Sequence, residues 1–301
     1  MSTLICIGLG YSAEHFVAAF GHKFDRIYGT MRGKERAAVL NAYDGARLHA
    51  LVFNGQSATS QLQQAIGEAD VALISVPQDD SGDPVLRACG DALNKAQRLR
   101  AVVYLSTVGV YGDRGGGWVD EETPPQPDSA RARERLVAER GWAEFGARRD
   151  IPVAILRLAG IYGPGRNALI QVASGKARRI VKPGQIFNRI HVADIAQAID
   201  AAFTRKASGI FNGADDEPSP PGDPIEFAAQ LLGVPPPPEI PFDEAAPSMS
   251  TLALSFWQDC RRVSNAKLKR ELGLALRYPT YREGLRALFE EENSFSANSA
   301  P

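Results

Sequence analysis

The sequence predicts an α/β fold: a doubly wound parallel sheet with helices on both faces, followed by a smaller carboxyl-terminal lobe. Three observations predict it. In the first half of the chain, short apolar runs alternate with helical patterns. A glycine-rich stretch, "GLGYSA", follows the first apolar run. After about residue 159 the alternation weakens and proline-rich loops such as "LGVPPPPEIP" separate short segments, which indicates a second lobe.

Six short apolar runs are predicted as strands, because runs of this kind suit strands that are buried on both faces of a sheet. They are Thr3–Ile7, Arg26–Gly29, Ala46–Val52, Val71–Val76, Ala101–Ser106 and Val153–Leu158. Strands that alternate with helices in this way pair in parallel, since each crossover returns the chain to the same edge of the sheet.

Helical patterns occupy the segments between these strands. They are "AEHFVAAF", "GKERAAVLNAY", "GDPVLRACGDALNKAQ" and "DSARARERLVAERGWAEFGA". Asp83 is placed to cap the third helix with Pro84 at its first position, and either Asp128 or Ser129 can cap the fourth. Two last helices are expected at about Asn265–Leu272 and Tyr281–Glu292.

The composition excludes several classes of protein. Apolar residues make up 44% of the 301 residues, and 34 basic against 35 acidic residues give a formal net charge of −1. A broad basic surface is therefore not expected, so nucleic acid and membranes are not expected partners. No apolar run approaches about 18 residues and no leader pattern precedes the first strand. The three cysteines are far apart, so we expect a reducing, cytoplasmic location and no metal.

The stretch from Gly8 to Ala13 matches the pattern G-x-G-x-x-A between a strand and a helix, which is the context that a dinucleotide-binding turn requires. Gly8 permits the tight turn, Gly10 lets backbone approach a pyrophosphate, and Ala13 lets the helix pack closely on the strand. The helix start, at Tyr11 and Ser12, then offers N–H groups and the Ser12 hydroxyl to the phosphates. This stretch, called the glycine turn below, predicts a Rossmann-type cofactor site.

The end of the second strand indicates which dinucleotide is bound. An Asp or Glu about 20 residues after the first glycine is typical of NAD, because it accepts hydrogen bonds from the ribose hydroxyls. Here that region reads "IYGTMRGKER", with Thr30 and Arg32 and no carboxylate before Lys34. A hydroxyl and a guanidinium suit a 2′-phosphate. NADP is therefore predicted in preference to NAD.

Further segments match a known pattern along most of the chain. They are "VVYLSTVGVYGD", "ILRLAGIYGPGRN", "NRIHVADIAQAI", "FNGADDEPSPPGDPIEFAAQLLG" and "RRVSNAKLKRELGLALRYPTYREGL". With the glycine turn, they resemble the extended short-chain dehydrogenases/reductases, which include NAD-dependent epimerases and dehydratases. The resemblance implies a Rossmann domain at 1–158, completed by sheet elements from later residues, and a substrate lobe at 159–292. The tail at 293–301 is small and polar, so it is expected to be disordered.

The resemblance assigns a role to the end of the fifth strand. In such enzymes a Ser or Thr there orients a substrate carbonyl or alcohol, and Thr107, four residues before Tyr111, takes that position. Ser106 precedes it and is expected at the cofactor. Tyr111 resembles a tyrosine that lines the cleft in related enzymes, so it is a candidate proton donor, with packing as its alternative role.

The resemblance fails at the acid/base pair. The family has a Tyr and, four residues later on one helix face, a Lys that lowers the pKa of the Tyr and holds the nicotinamide ribose. With Pro127 and Glu139 as anchors, the Tyr position is Arg131 and the Lys position is Arg135. Arginine does not exchange a proton near neutral pH, so the pair is absent. Arg135 is still expected to hold a ribose or phosphate.

Other cleft residues follow from the strand ends. Val76 and Pro77, after the fourth strand, are expected to flank the adenine or a ribose, although a plain turn is an equal alternative. In related enzymes the segment after the sixth strand closes over the nicotinamide, which makes Gly160 a candidate for the cofactor and Tyr162 for the substrate. The resemblance also makes Arg166 and Arg189 candidates for an anionic substrate, with ion pairing within the protein as the alternative.

Two functions stay open on this evidence. The first is an NADP-dependent oxidoreductase or epimerase-like enzyme that acts, through Thr107, on a small polar substrate, with sugar derivatives among the candidates. The second is a non-catalytic NADP-binding sensor or scaffold. The intact glycine turn favours the first, and the missing acid/base pair favours the second. The helix that contains Arg131 and Glu139 is also a candidate surface for a homodimer.

Overall fold

The chain folds around a central sheet. The structure, a computed structural model, describes residues 2–43 and 47–298, with the backbone alone at 42–43 and 292–298. The strands are β1 (Thr3–Ile7), β2 (Arg26–Met31), β3 (Leu48–Val52), β4 (Val71–Ile74), β5 (Ala101–Thr107), β6 (Trp118–Val119), β7 (Val153–Leu158), β8 (Gly160–Tyr162), β9 (Arg179–Val181), β10 (Arg189–His191), β11 (Gly209–Gly213), β12 (Glu239–Pro241) and β13 (Arg262–Val263).

Helices connect these strands. They are α1 (Tyr11–Phe20), α2 (Lys34–Tyr43), α3 (Ser60–Glu68), α4 (Pro84–Lys95), α5 (Ala130–Arg149), α6 (Ala168–Ala173), α7 (Val192–Arg205), α8 (Asp223–Leu232), α9 (Phe242–Ala245), α10 (Thr251–Gln258), α11 (Ala266–Leu272) and α12 (Tyr281–Asn298). Asp83 caps α4 by accepting from the N–H groups of Val85 and Leu86, as predicted. Of the two candidates for α5, Ser129 is the cap.

The central sheet has seven strands in the order β11-β7-β5-β4-β1-β2-β3, and every neighbouring pair is parallel. The predicted doubly wound sheet is confirmed. Two predicted strands have the predicted bounds, and the others differ by one to two residues at their ends; Ala46, the predicted start of the third, lies outside the described residues. Thr107 pairs with Leu158 and Leu158 with Gly213, so these residues share the carboxyl edge of the sheet.

Apolar clusters cover both faces of the sheet. On one face, Phe16 of α1 and Ile199 of α7 belong to one cluster with Leu105 and Phe211 of the strands. On the other, α3, α4 and α5 contribute to a second cluster that includes Trp142. Both clusters consist of side chains that are almost completely removed from water. This burial fixes the strands, and so fixes the edge at which their carboxyl ends meet.

The segment after β7 builds a lobe from short parallel ribbons and helices. The ribbons pair β8 with β10, β9 with β12, and β13 with β6. A small apolar core joins α6, α8 and α12 through Leu169, Ala228 and Leu285. Helix α12 extends to Asn298, into the segment expected to be a disordered tail, and 299–301 lie outside the described residues. No helix in the described part of the chain has the length and apolar character needed to cross a membrane.

Candidate functional site

The glycine turn is held between the ends of β2 and β4. Gly8 has a φ of +97°, and a Cβ there would lie 2.9 Å from the carbonyl carbon of Ser75 and 3.0 Å from the nitrogen of Val76. The Gly8 N–H donates to the Thr30 hydroxyl at 2.8 Å, and the Leu9 N–H donates to the Thr30 carbonyl at 2.7 Å. Only glycine fits this position, because both the backbone angle and the space exclude a side chain.

The start of α1 has the form of an anion site. Gly10 is its N-cap and supplies no side-chain cap. Among the described residues outside its own turn, no heavy atom lies within 4 Å of the place that a Gly10 Cβ would occupy. The first N–H groups of a helix have no partner within the helix, and here they border open space. The residues present therefore fit the pyrophosphate of a dinucleotide. Ser12 and Ala13 are buried behind this surface.

The end of β2 presents one of its two predicted cofactor contacts. Thr30 is 1% exposed, and its hydroxyl already accepts the Gly8 N–H. The Thr30 hydroxyl thus supports the turn from inside the protein. Arg32 is exposed and has no partner among the described residues. The cation predicted to meet the 2′-phosphate is thus available, whereas the hydroxyl has a structural role.

The two hydroxyls at the end of β5 differ in their surroundings. Ser106 is buried and donates to the Oε1 of Glu139 at 2.5 Å, so its proton is used inside the protein. Thr107 is half-buried, and its oxygen accepts the Gly109 N–H at 3.1 Å. This contact leaves the hydroxyl proton of Thr107 free to donate. Thr107 is therefore the residue at this strand end that can present a hydrogen-bond donor to a substrate.

Tyr111 is the centre of a buried polar network and does not face the cleft. It is fully buried, its hydroxyl donates to the Oδ1 of Asn212 at 2.8 Å, and the Arg157 guanidinium lies 4.8 Å from its ring centre. Arg157 in turn binds Glu139, with 2.7 Å between Nη2 and Oε2. Burial raises the pKa of Tyr111. Of the two roles open for Tyr111, this placement supports packing.

The helix positions of the expected acid/base pair behave differently from each other. Arg131 is exposed near the start of α5. Arg135 is half-buried, and its Nη1 donates at 3.0 Å both to the Tyr104 hydroxyl and to the Leu105 carbonyl. Arg135 is thus held at the end of β5, beside the loop that follows β4.

Two further strand-end segments were predicted to contact the cofactor. Val76 is half-buried against Gly8, and Pro77 is exposed. Gly160 is exposed and its N–H donates to the Asn188 carbonyl at 3.0 Å, which joins the end of β7 to the lobe.

The candidate substrate residues separate into buried and exposed groups. Tyr162 is 8% exposed, and its hydroxyl donates to the Thr280 carbonyl at 3.3 Å. Arg189 donates at 2.8 Å to the Ser219 hydroxyl, which is a neutral hydrogen bond within the lobe and not the ion pair given as its alternative. Arg166 is exposed, and its guanidinium lies 5.9 Å from the ring centre of Tyr11. Arg166 therefore lies next to the glycine turn.

Tyr11 also ties this turn to the lobe. Its hydroxyl donates to the Pro164 carbonyl at 3.0 Å, and Pro164 lies between β8 and α6. This hydrogen bond joins the first residue of α1 to the lobe, beside the open space at Gly10. In the part of the chain that the structure describes, no three His, Cys, Asp or Glu side chains form a group that could hold a metal ion.

Two polar residues near Arg135 were not identified from the sequence: Tyr104, which accepts from Arg135, and Gln78, which donates to Tyr104. Tyr104 lies in the interior of β5 and Gln78 in the loop after β4, and their side chains hydrogen-bond to each other. A signal was present: Tyr104 and Ser106 are two residues apart in an apolar strand, and Arg135 and Glu139 are four apart in a helix. Each pair shares one face of its element, so the two faces could have been matched.

Comparison with known proteins agrees with this arrangement. The model of the NAD dependent epimerase/dehydratase family matches residues 83–213. A curated relative, 3-diazoavenalumate denitrifying reductase from a Streptomyces species, is 27% identical over 262 residues, which is 83% of this chain and 83% of the relative.

Solved structures extend the likeness over almost the whole chain. The structure of a functionally unknown conserved protein from Silicibacter pomeroyi DSS is 41% identical, with a TM-score of 0.85, and the match covers 97% of this chain and 99% of that one. The dTDP-glucose 4,6-dehydratase of Bacillus anthracis, solved with NAD, is 18% identical with a TM-score of 0.78 and coverage of 98% and 97%, and it shows the same fold. Residues 83–213 thus match the NAD dependent epimerase/dehydratase family, and the likeness of fold extends over almost the whole chain.

Proposed function

We propose that this protein binds NADP(H) at the glycine turn and reduces a small polar substrate held between Thr107 and the lobe. The observation that carries the proposal is the open space beside Gly10 at the unpaired start of α1. The absence of a carboxylate between Ile27 and Lys34, together with the exposed Arg32, supports NADP in preference to NAD.

The residues would divide the work as follows. The N–H groups at the start of α1 hold the pyrophosphate, and Arg32 binds the 2′-phosphate. When bound, the nicotinamide supplies or accepts a hydride. Thr107 donates its free hydroxyl proton in a hydrogen bond to the substrate oxygen or nitrogen that gains charge. Arg166, beside Tyr11, adds a positive charge near the phosphates or the substrate.

The residues at 131 and 135 of α5 favour reduction over epimerisation. Arginine stands at the positions that the resemblance assigns to the acid/base pair, and the hydroxyl of Tyr111 is already bonded to Asn212. Loss of a general acid or base costs typically about 100- to 10,000-fold in rate. A substrate that needs no proton from the enzyme escapes this cost. The Streptomyces relative is by name a reductase of a diazo compound, so 3-diazoavenalumate is a first substrate to test, with nucleotide sugars for comparison.

Cofactor titration tests the proposal. NADPH and NADH are each titrated by fluorescence against the wild-type protein and against Gly10→Ala, Arg32→Ala and Gly67→Ala. We expect NADPH to bind more tightly than NADH, Gly10→Ala to weaken both at least about tenfold, and Arg32→Ala to weaken NADPH alone. Gly67→Ala is the matched control, because Gly67 also has open space around it but lies in α3. Equal affinities for the two cofactors, or no effect of Gly10→Ala, would contradict the proposal.

A second function, a non-catalytic NADP sensor, is favoured by the same arginines at 131 and 135. It predicts tight NADPH binding without oxidation of NADPH by any acceptor tested. Turnover with 3-diazoavenalumate or a nucleotide sugar, measured by loss of NADPH absorbance, separates the two.

A further inference from the structure

A buried phenol holds Arg135 at the end of β5, and an amide from the loop after β4 bonds to the same phenol. The Arg135 Nη1 donates to the Tyr104 hydroxyl and to the Leu105 carbonyl, both at 3.0 Å. The Gln78 Nε2 also donates to the Tyr104 hydroxyl. Gln78 follows β4 and Tyr104 belongs to β5, and these strands are neighbours in the sheet. One hydroxyl therefore joins the loop after β4 to the cation of α5.

This group is adjacent to the glycine turn. Val76, two residues before Gln78, lies against Gly8, with its Cγ2 3.0 Å from the place of a Gly8 Cβ. In a doubly wound sheet, ligands bind at the carboxyl ends of the strands, next to this turn. A dinucleotide whose pyrophosphate lies at the start of α1 therefore passes the ends of β4 and β5. Gln78 and Arg135 stand at those two ends.

The Arg135 guanidinium is fixed by its contacts, yet some of its N–H groups have no acceptor among the described residues. The two contacts of Nη1 use both of its protons, which leaves Nη2 and Nε as donors. Neither has a partner among the described residues, and Arg135 is only half-buried. Ribose hydroxyls accept such bonds, and a guanidinium keeps its charge at every physiological pH.

The Gln78 amide also takes part in this group. Its Oε1 is buried and lacks a hydrogen-bond donor in the described part of the chain. Buried amide oxygens are nearly always satisfied, so an unsatisfied one requires an explanation. The Tyr104 hydroxyl still has a proton to donate, and it satisfies this oxygen when the O and N ends of the amide are exchanged. Gln78 therefore supports the Tyr104 hydroxyl, and through it Arg135.

From these contacts we propose that Tyr104 and Gln78 are positioning residues that hold Arg135 against the nicotinamide ribose of the cofactor. The proposal rests on the proposed binding of NADP(H). It explains how the chain retains the ribose contact without a Tyr/Lys pair on one helix: the phenol comes from β5 and the cation from α5. The fully buried Tyr104 orients the cation and does not exchange protons with a substrate.

The test compares the whole cofactor with a fragment that lacks the nicotinamide ribose. NADPH and adenosine 2′,5′-bisphosphate are titrated by calorimetry against wild type, Tyr104→Phe, Gln78→Ala, Arg135→Met and Arg135→Lys. We expect Tyr104→Phe and Gln78→Ala to weaken NADPH about three- to tenfold, the effect of one hydrogen bond. Arg135→Met should weaken it about ten- to a hundredfold, and Arg135→Lys should restore part of the loss. Binding of the fragment should change less than about twofold.

Controls separate this proposal from a structural role and from the proposed function. Tyr28→Phe removes a comparable phenol, bonded to Glu68 at 2.6 Å on β2, and should leave both affinities unchanged. Thermal unfolding of each variant monitors folding, and Gln78→Ala decides the matter if Tyr104→Phe does not fold. Unchanged NADPH binding in these variants, or equal weakening of NADPH and fragment, would overturn the proposal while wild-type binding stays intact. No binding of NADPH to wild type would overturn the proposed function as well.

Discussion

Breaking the buried ion pair between Glu139 and Arg157 should lower the stability of the fold more than any other single change in the buried polar network around Tyr111. The two side chains are 3% and 2% exposed, and three hydrogen bonds of 2.7 to 3.2 Å connect them. Glu139→Gln keeps the shape of the side chain and its contact with Ser106 but removes the negative charge. The positive charge of Arg157 is then left in the interior without a counter-charge.

Breaking one partner of a buried pair costs about 3 to 5 kcal/mol, because the remaining charge stays desolvated. For a chain of this length the entropy of unfolding converts that loss into a fall in Tm of about 5 to 8 °C. The Nη1 of Arg157 already lacks a hydrogen-bond partner among the described residues. Glu139 is the carboxylate that pairs with Arg157, so its removal takes away the counter-charge, and the expected loss lies at the upper end of the range.

Urea unfolding followed by circular dichroism measures the loss, and two further variants interpret it. Asp200→Asn removes a carboxylate from the half-exposed pair with Lys23 and should cost less than about 1 kcal/mol. The double variant Glu139→Leu with Arg157→Met replaces both charges by apolar groups and should be more stable than Glu139→Gln. A loss below about 1 kcal/mol in Glu139→Gln, or a double variant that is less stable than it, would refute the reasoning.

Other side chains around the strand end give three further expectations. Thr107→Val should lower the rate of NADPH oxidation at least about tenfold with an unchanged NADPH affinity; a rate within about twofold of wild type would exclude Thr107 from catalysis. Tyr111→Phe should cost about 1 to 3 kcal/mol in urea unfolding and leave turnover unchanged, and lost turnover at full stability would restore its catalytic role. Burial lowers the pKa of His191 from 6.5 to about 4. Between pH 6.5 and about pH 4 the folded chain therefore binds fewer protons than the unfolded chain, and the free energy of unfolding must fall as the pH falls through this range. His191→Asn, which keeps a capping acceptor, should show less of this fall in urea midpoints, and an identical pH dependence would contradict the assignment.

Most of the sheet could be predicted from the sequence, because parallel strands that are buried on both faces consist of continuous apolar residues. The strand Val153–Leu158 has the predicted bounds for this reason. Helix α3 was not predicted, although Thr59 is its cap and Leu62, Ala65 and Ile66 are its buried residues. The spacing i, i+3, i+4 was visible there, but polar residues surround it and weaken the pattern.

The short ribbons of the lobe could not be predicted in the same way. Strands β8, β10 and β13 have only two or three residues each, too few for an alternating pattern to stand out. Their positions depend on contacts far apart in sequence, such as the hydrogen bond from the Asn188 side chain to the Arg261 carbonyl. Such contacts form only once the central sheet exists, and no local propensity encodes them.

In the candidate site, the backbone features could be predicted from the sequence, whereas the side-chain contacts could not. Backbone requirements could be predicted: Gly8 needs a positive φ and Gly10 borders open space, and both follow from the motif. The use of side-chain hydroxyls could not. Thr30 and Ser106 were both expected at the cofactor, yet each hydroxyl is bonded inside the protein. A sequence shows that a hydroxyl is present at a strand end, but a competing partner from a distant element decides where it points.

The position of α5 relative to β5 decides whether Arg131 and Arg135 truly occupy the positions of the family's Tyr and Lys. Two side-chain contacts fix the helix against the strand: Glu139 binds Ser106, and Arg135 binds Tyr104. Ser129 caps the same helix, so its start is fixed as well. A shift by one turn to bring another residue over the strand end would break both contacts and leave buried polar groups unpaired. The helix is therefore not displaced, and the sequence places Arg131 at the position where the resemblance expects the Tyr. A guanidinium there can attract an anion but cannot release a proton near neutral pH, so Arg131 itself is not a proton donor.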